Sequence, residues 1–209
     1  MENQEINNQL ICILKQLDSM TYNHSVRVMM ISAEIEEYFG MTDHKLMYAA
    51  IFHDIGKVYI PFNILDKNIR LTKLERQIID LHPYIGYSML SELGIDEDIC
   101  RIILYHHGSR PFTIQDVGHY DNENIYAKAL ILHTIDAFEA LTSDRPYHRG
   151  VTSKEALKIL DREGGCDIKV IEYITEVASK DDMTSAIHRM GPEDNKFEFV
   201  KKLILEMEL

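Results

Sequence analysis

The chain has 209 residues, enough for one domain with a single sizeable hydrophobic core and no need of a disulfide staple. Hydrophobic residues make up 45% and charged residues 27%, which excludes a disordered chain, a collagen-like repeat and a disulfide scaffold. Twenty-two Lys and Arg against 34 Asp and Glu leave a formal charge of −12, so a DNA or RNA backbone is repelled while a small phosphorylated ligand is still allowed.

The N-terminus, MENQEINNQL, is acidic and amide-rich where a signal peptide needs a basic start and an apolar core. No apolar run approaches the roughly 18 residues of a membrane span, so a cytoplasmic chain without membrane contact is expected. Cys12, Cys100 and Cys166 are an odd, scattered set, which fits a reducing compartment and buried free thiols rather than a structural zinc site. Helical periodicity begins with Ile6, Leu10, Ile13, Leu14 and Leu17 on one stripe. The pattern predicts helices over 4–18, 22–39, 43–54, 73–81, 83–93, 96–106, 123–141, 153–163, 167–179 and 195–208, and no run alternates as a strand does. The expected fold is therefore an all-α helical bundle with additional helices after residue 150. Thr72 with Glu75 and Thr152 with Glu155 have capping-box spacing, and Gly40, Gly56, Gly94 and Gly164-Gly165 read as helix stops. Residues 108–122 form the longest segment without periodicity, a length usually tied to function or mobility. A second weakly patterned stretch, 181–194, precedes a terminal amphipathic helix. The division expected is a domain over 1–180, its N-terminal helix included, and a C-terminal helical extension over 181–209.

Ten His and sixteen Asp give about 0.8 His-Asp dipeptides by chance, so His53-Asp54 alone says little. Its surroundings say more, because the apolar run YAAIF precedes it and Ile55-Gly56-Lys57 follows, setting two metal-type ligands at a buried helix end. Metal chemistry wants imidazoles and carboxylates converging from different helices. His24 lies 29 residues before His53, His82 lies 28 after Asp54, His106 lies 24 after His82, and Asp136 lies 29 after His107. One ligand or pair per helix hairpin is what a bundle with a central metal pocket requires. Read singly, His24 and His82 fit satisfied core or capping histidines as well as ligands, and His106-His107 fits a helix end meeting its dipole. Asp136, in ILHTIDAFEAL, is the sharpest anomaly, for a carboxylate on an apolar face needs a metal or an ion pair.

NHSVRV, AAIFHDIGKVYIPFNILDK, LHPYIGYSML, YHH and ILHTIDAFEALTSDRPYHRG stand in the order and spacing of one known family. Over about residues 20–175 the chain resembles the HD-GYP branch of the HD-domain phosphohydrolases. The resemblance implies that His24, His53, Asp54 and Asp136 hold one metal, and that Asp54 bridges to a second held by His82, His106 and His107. It implies two divalent ions, iron or manganese by ligand type, with nickel, cobalt or zinc able to enter on purification. A hydroxide bridging them is the implied nucleophile toward a phosphodiester. Asp54, Lys57 and Arg145 are the implied catalytic residues, the two cations reaching phosphate oxygens. Read without the resemblance, Lys57 caps a helix end and Arg145 pairs with Asp144 or Glu139. Tyr147 either stacks on a base or packs against the bundle, while His148 replaces a more usual Lys or Arg. His44, His119, His133 and His188 match no motif position.

The chain departs from the family pattern twice. Relatives with three metals carry a glutamate four residues before the first histidine; here that residue is Met20, so two metals are expected. The double histidine should lead into a lip ending in Gly-Tyr-Pro, but the chain reads HHGSRPFTIQDVGHYDNENIY, where Arg110 and Phe112 offer a replacement or simply face solvent. The function expected is metal-dependent hydrolysis of a cyclic dinucleotide, cyclic di-GMP first. The alternatives are a weakly catalytic nucleotide-sensing or interaction module that keeps the metal pocket, or a hydrolase of another nucleotide phosphoester. A homodimer or a signalling partner is compatible with either. With about 20 residues ahead of His24, no receiver, sensor or membrane region is expected to precede the domain.

Overall fold

A computed structural model describes residues 2–107, 123–144, 149–178 and 193–207. Among these there is no strand. The helices are α1 (Glu2–Leu14), α2 (Ser19–Phe39), α3 (Lys45–Phe52), α4 (Phe62–Leu65), α5 (Lys73–Ile79), α6 (His82–Glu92), α7 (Glu97–Tyr105), α8 (Glu123–Thr142), α9 (Ser153–Glu163), α10 (Ile168–Ala178) and α11 (Glu193–Leu205). A 3-10 turn, Ile55–Tyr59, follows α3. No described helix is long and apolar enough to cross a membrane.

Local chemistry sets the helix ends. Asp18 caps α2 by accepting from the backbone N–H groups of Met20 and Thr21, and Gly40 closes it with φ 67°. The capping boxes at Thr72/Glu75 and Thr152/Glu155 both form, opening α5 and α9. Gly56 is not the helix stop its position suggests. It lies within the 3-10 turn, where a Cβ would stand 2.1 Å from the His82 carbonyl oxygen and 2.7 Å from the Gly86 nitrogen. The glycine is there so that two backbones can meet.

Four helices enclose the core. α2 packs on α3 and α8, and α7 packs on α3 and α8, while α6 bridges α7 and the 3-10 turn. α3 is mostly buried, with Leu46, Ala49, Ala50, Ile51 and Phe52 fully covered and Lys45, Met47 and Tyr48 half-buried, as its largely apolar sequence requires. α9 and α10 continue from α8, and α11 lies on α1, sending Val200, Ile204 and Met207 into the same core. All three cysteines are free, but Cys12 is exposed, contrary to the buried thiols expected, because it falls on the outer face of α1. The aperiodic segments 108–122 and 181–192, with Arg110, Phe112, His119 and His188, lie outside the described residues, as do Arg145, Tyr147 and His148.

Candidate metal centre

Each candidate ligand sits where a helix begins, ends or faces the core. His53 terminates α3 and Asp54 starts the 3-10 turn, so the His-Asp pair projects from the blunt end of a buried helix. His82 opens α6, and the contact permitted by Gly56 brings it over Asp54: His82 Nε2 is 3.2 Å from Asp54 Oδ1. His106 closes α7, with His107 after it, while His24 on α2 and Asp136 on α8 face inward from the two long helices. His24 Nε2 is 2.9 Å from Asp136 Oδ1 and 3.9 Å from Asp54 Oδ2; His53 Nε2 is 3.5 Å from that same Asp54 oxygen. The two Asp54 oxygens thus face different histidines.

The seven residues fall into three overlapping groups whose donor atoms lie within 4.8 Å of one another. These are His24, His53 and Asp54; His53, His106 and Asp136; and His82, His106 and His107. Four of the histidines are oriented through Nδ1. His53, His82 and His106 point it at the carbonyls of Ala50, Ile79 and Ile103, at 2.8, 2.7 and 2.6 Å, and His24 points it at Glu139. A neutral ring that donates from Nδ1 presents a lone pair at Nε2. The Nε2 atoms of His53 and His106 are buried with no hydrogen-bond partner, and those of His82 and His107 are 3.3 Å apart. Buried lone pairs facing one another call for a cation, and imidazole with carboxylate suits a divalent transition metal. The residues present fit such a group.

Charge in the cluster is set by burial and by neighbours. Desolvation and the surrounding histidines hold the His53 and His106 imidazoles below their usual range, and His107 falls to about 4. These rings are neutral, as metal ligands must be. Burial alone would raise Asp54, but Lys57 and the nearby histidines outweigh it and keep the carboxylate ionised. Lys57 Nζ lies 2.6 Å from Asp54 Oδ2, so the lysine is an ion-pair partner of the cluster rather than a solvated helix cap. His24 differs: burial disfavours its charge, yet hydrogen bonds to Asp136 and Glu139 lift it to about 9.

Sequence reasoning missed the Arg27–Glu139–Ser143 group. Glu139 is 2% exposed and accepts hydrogen bonds from His24, Arg27 and Ser143. The signal was available, since Arg27 and Glu139 each stand three residues beyond an inward-facing ligand and so on the same helix face. From the sequence alone, Glu139 reads only as a partner for Arg145. Beside His24, a cavity of about 50 Å³ is lined by Met20, Arg27, Lys57, Ser143 and Asp144 among others. The His133 and His107 ring centroids are 6.5 Å apart, and His44 pairs with Glu36 at the start of α3.

The family model for the HD domain matches residues 21–141, which contain all seven candidate metal ligands. The chain belongs to the HD domain family. Among HD relatives, it is 32% identical to "Cyclic di-GMP phosphodiesterase PA4108" of Pseudomonas aeruginosa, over 69% of this chain and 36% of that protein. It is also 32% identical to "Cyclic di-GMP phosphodiesterase" of Thermotoga maritima, over 83% of this chain and 51% of that one. The chain thus spans about half or less of the length of these curated relatives. In fold it is similar to the HD domain of the L. monocytogenes phosphodiesterase PgpH, solved in complex with cyclic-di-AMP. The TM-score is 0.53 at 20% sequence identity, covering 92% of this chain and 93% of that one.

Proposed function

We propose that this HD domain is a metal-dependent phosphodiesterase that opens a cyclic dinucleotide, with cyclic di-GMP as the first substrate to test. One observation carries the reading: Asp54 turns one oxygen to His82 Nε2 and the other toward His24 and His53, within a cluster where His106 groups with His53 and Asp136 on one side and with His82 and His107 on the other. In this reading His24, His53, Asp54 and Asp136 hold one divalent ion, and Asp54, His82, His106 and His107 hold the second. Iron or manganese suits the donors, and the absence of thiolate among them argues against a preference for softer ions. Two such ions supply an activated water and neutralise charge on a phosphodiester.

The chain's own side chains do the rest. Asp54 places its two oxygens toward the two ligand groups, and the Nδ1 hydrogen bonds of the histidines fix the ring planes before any ligand arrives. Lys57 is held by Asp54 at the margin of the cluster, and in this reading its ammonium meets a non-bridging phosphate oxygen. Arg145, in SDRPY, is proposed as the second phosphate contact. The names of the relatives support a cyclic dinucleotide as the substrate class.

Anaerobic incubation with cyclic di-GMP and added manganese or iron, resolved by chromatography, tests the proposal. Wild type is expected to yield the linear dinucleotide or GMP, and Asp54→Ala to lose at least about a hundredfold in rate. No product from folded, metal-loaded wild type, with cyclic di-AMP also left intact, would overturn it.

A further inference from the structure

Of the four cluster histidines oriented through Nδ1, three are held by backbone and one is not. His53, His82 and His106 each give Nδ1 to the carbonyl three residues earlier, at or near a helix end where the hydrogen-bond ladder has run out. His24 lies inside α2, where the preceding carbonyls are taken by the helix itself. Its orientation needs a partner from elsewhere, and that partner is Glu139 of α8, 115 residues away in sequence.

Glu139 is itself held on its other oxygen, Oε1, by Arg27 Nε from α2 and by the Ser143 hydroxyl just past the end of α8. The carboxylate therefore has a donor at both oxygens, and Arg27 offsets its buried charge. A carboxylate behind a ligating imidazole fixes the ring and raises its basicity more than a neutral carbonyl does.

We infer that Glu139, clamped by Arg27 and Ser143, is the positioning residue that holds His24 at the first metal position. The inference rests on the metal reading given above and extends it to a residue outside the ligand set. Glu139 touches neither ion nor substrate in this account; it acts through His24. Because only His24 depends on it, its loss weakens one metal position and spares the other.

The test is manganese binding to chelator-stripped full chain, by competition with a chromophoric chelator, for wild type, Glu139→Ala and Glu139→Gln, with melting curves taken in chelator. In Glu139→Ala one of two manganese equivalents is expected to weaken by about 10- to 100-fold while the other stays within about threefold. Glu139→Gln keeps an acceptor oxygen and is expected to fall between Ala and wild type; should the Ala variant not fold, the Gln variant decides through the same one-sided loss. Unchanged affinity at both positions, or an equal loss at both, overturns the inference. Wild type that took up no manganese would overturn both the inference and the metal reading. Wild type that bound two ions but hydrolysed no cyclic dinucleotide would sink the phosphodiesterase reading alone.

Discussion

Asp54 remains ionised at 2% exposure, which an interior tolerates only with compensating charge close by. Lys57, 2.6 Å away, supplies that charge, and Gly56 supplies the geometry. A methyl at Gly56 would meet the His82 carbonyl oxygen at 2.1 Å, a backbone atom that cannot rotate away, so the 3-10 turn and α6 would have to separate. Gly56→Ala is therefore expected to destabilise the fold by about 1–3 kcal/mol, as overpacked cores do, and to weaken manganese binding by pulling His82 from Asp54. Denaturant melts and a manganese titration of the same preparation check this; wild-type values in both would show that the close approach is not needed. The seven proposed ligands were legible in the sequence only together and through the family resemblance, since His24, His82 and His106-His107 taken singly fit core or capping roles and Asp136 alone is a sharp anomaly. Glu139 and Arg27 were not, because charged residues one turn from a motif look like ordinary surface until the two helices are placed together. Gly56 was misread for the same reason: a glycine after a helix reads as a stop unless the opposing backbone is known.

Helices α2, α3 and α8 carry most of the positioning, and their joints are polar. Glu36 of α2, 2% exposed, accepts the backbone N–H groups of Leu46 and Met47 at 3.0 and 3.1 Å, so a side chain from one helix caps the next. His44, in a left-handed conformation with φ 52°, turns the chain into that cap. Lys128 of α8 pairs with Asp43 in the same turn. Glu36→Ala leaves those two N–H groups of α3 without their acceptor and is expected to cost about 1–3 kcal/mol. A chemical denaturation midpoint equal to wild type would contradict this. Ten of the helices were legible from periodicity, with ends shifted by a few residues where fraying or 3-10 geometry intervenes. The capping boxes were read correctly because they are local. The 3-10 turn and the four-residue α4 were not foreseen, since one turn of helix is too short to express a period.

Across the whole molecule, one core runs from α1 to α11, and the first and last helices cover each other. Lys15, in the turn after α1, sits 4.7 Å over the Phe197 ring, and Tyr22 packs against the same ring from the start of α2. A net charge of −12 makes a buried cation centre the natural counterweight to this chain's own field. Histidine and aspartate side chains buried together, with Nε2 lone pairs unmet, should be less stable stripped than loaded. At a free metal concentration 100 times the dissociation constant, the linkage is about 2.7 kcal/mol per site. The most direct measurement is metal per chain on chelator-stripped, manganese-reconstituted protein, by plasma mass spectrometry, with a thermal melt before and after loading. The account predicts two ions per wild-type chain and a raised melting temperature, against at most one ion and a smaller rise for Asp54→Ala. Wild type that binds no manganese, or an Asp54→Ala variant that loads and melts as wild type does, would contradict it.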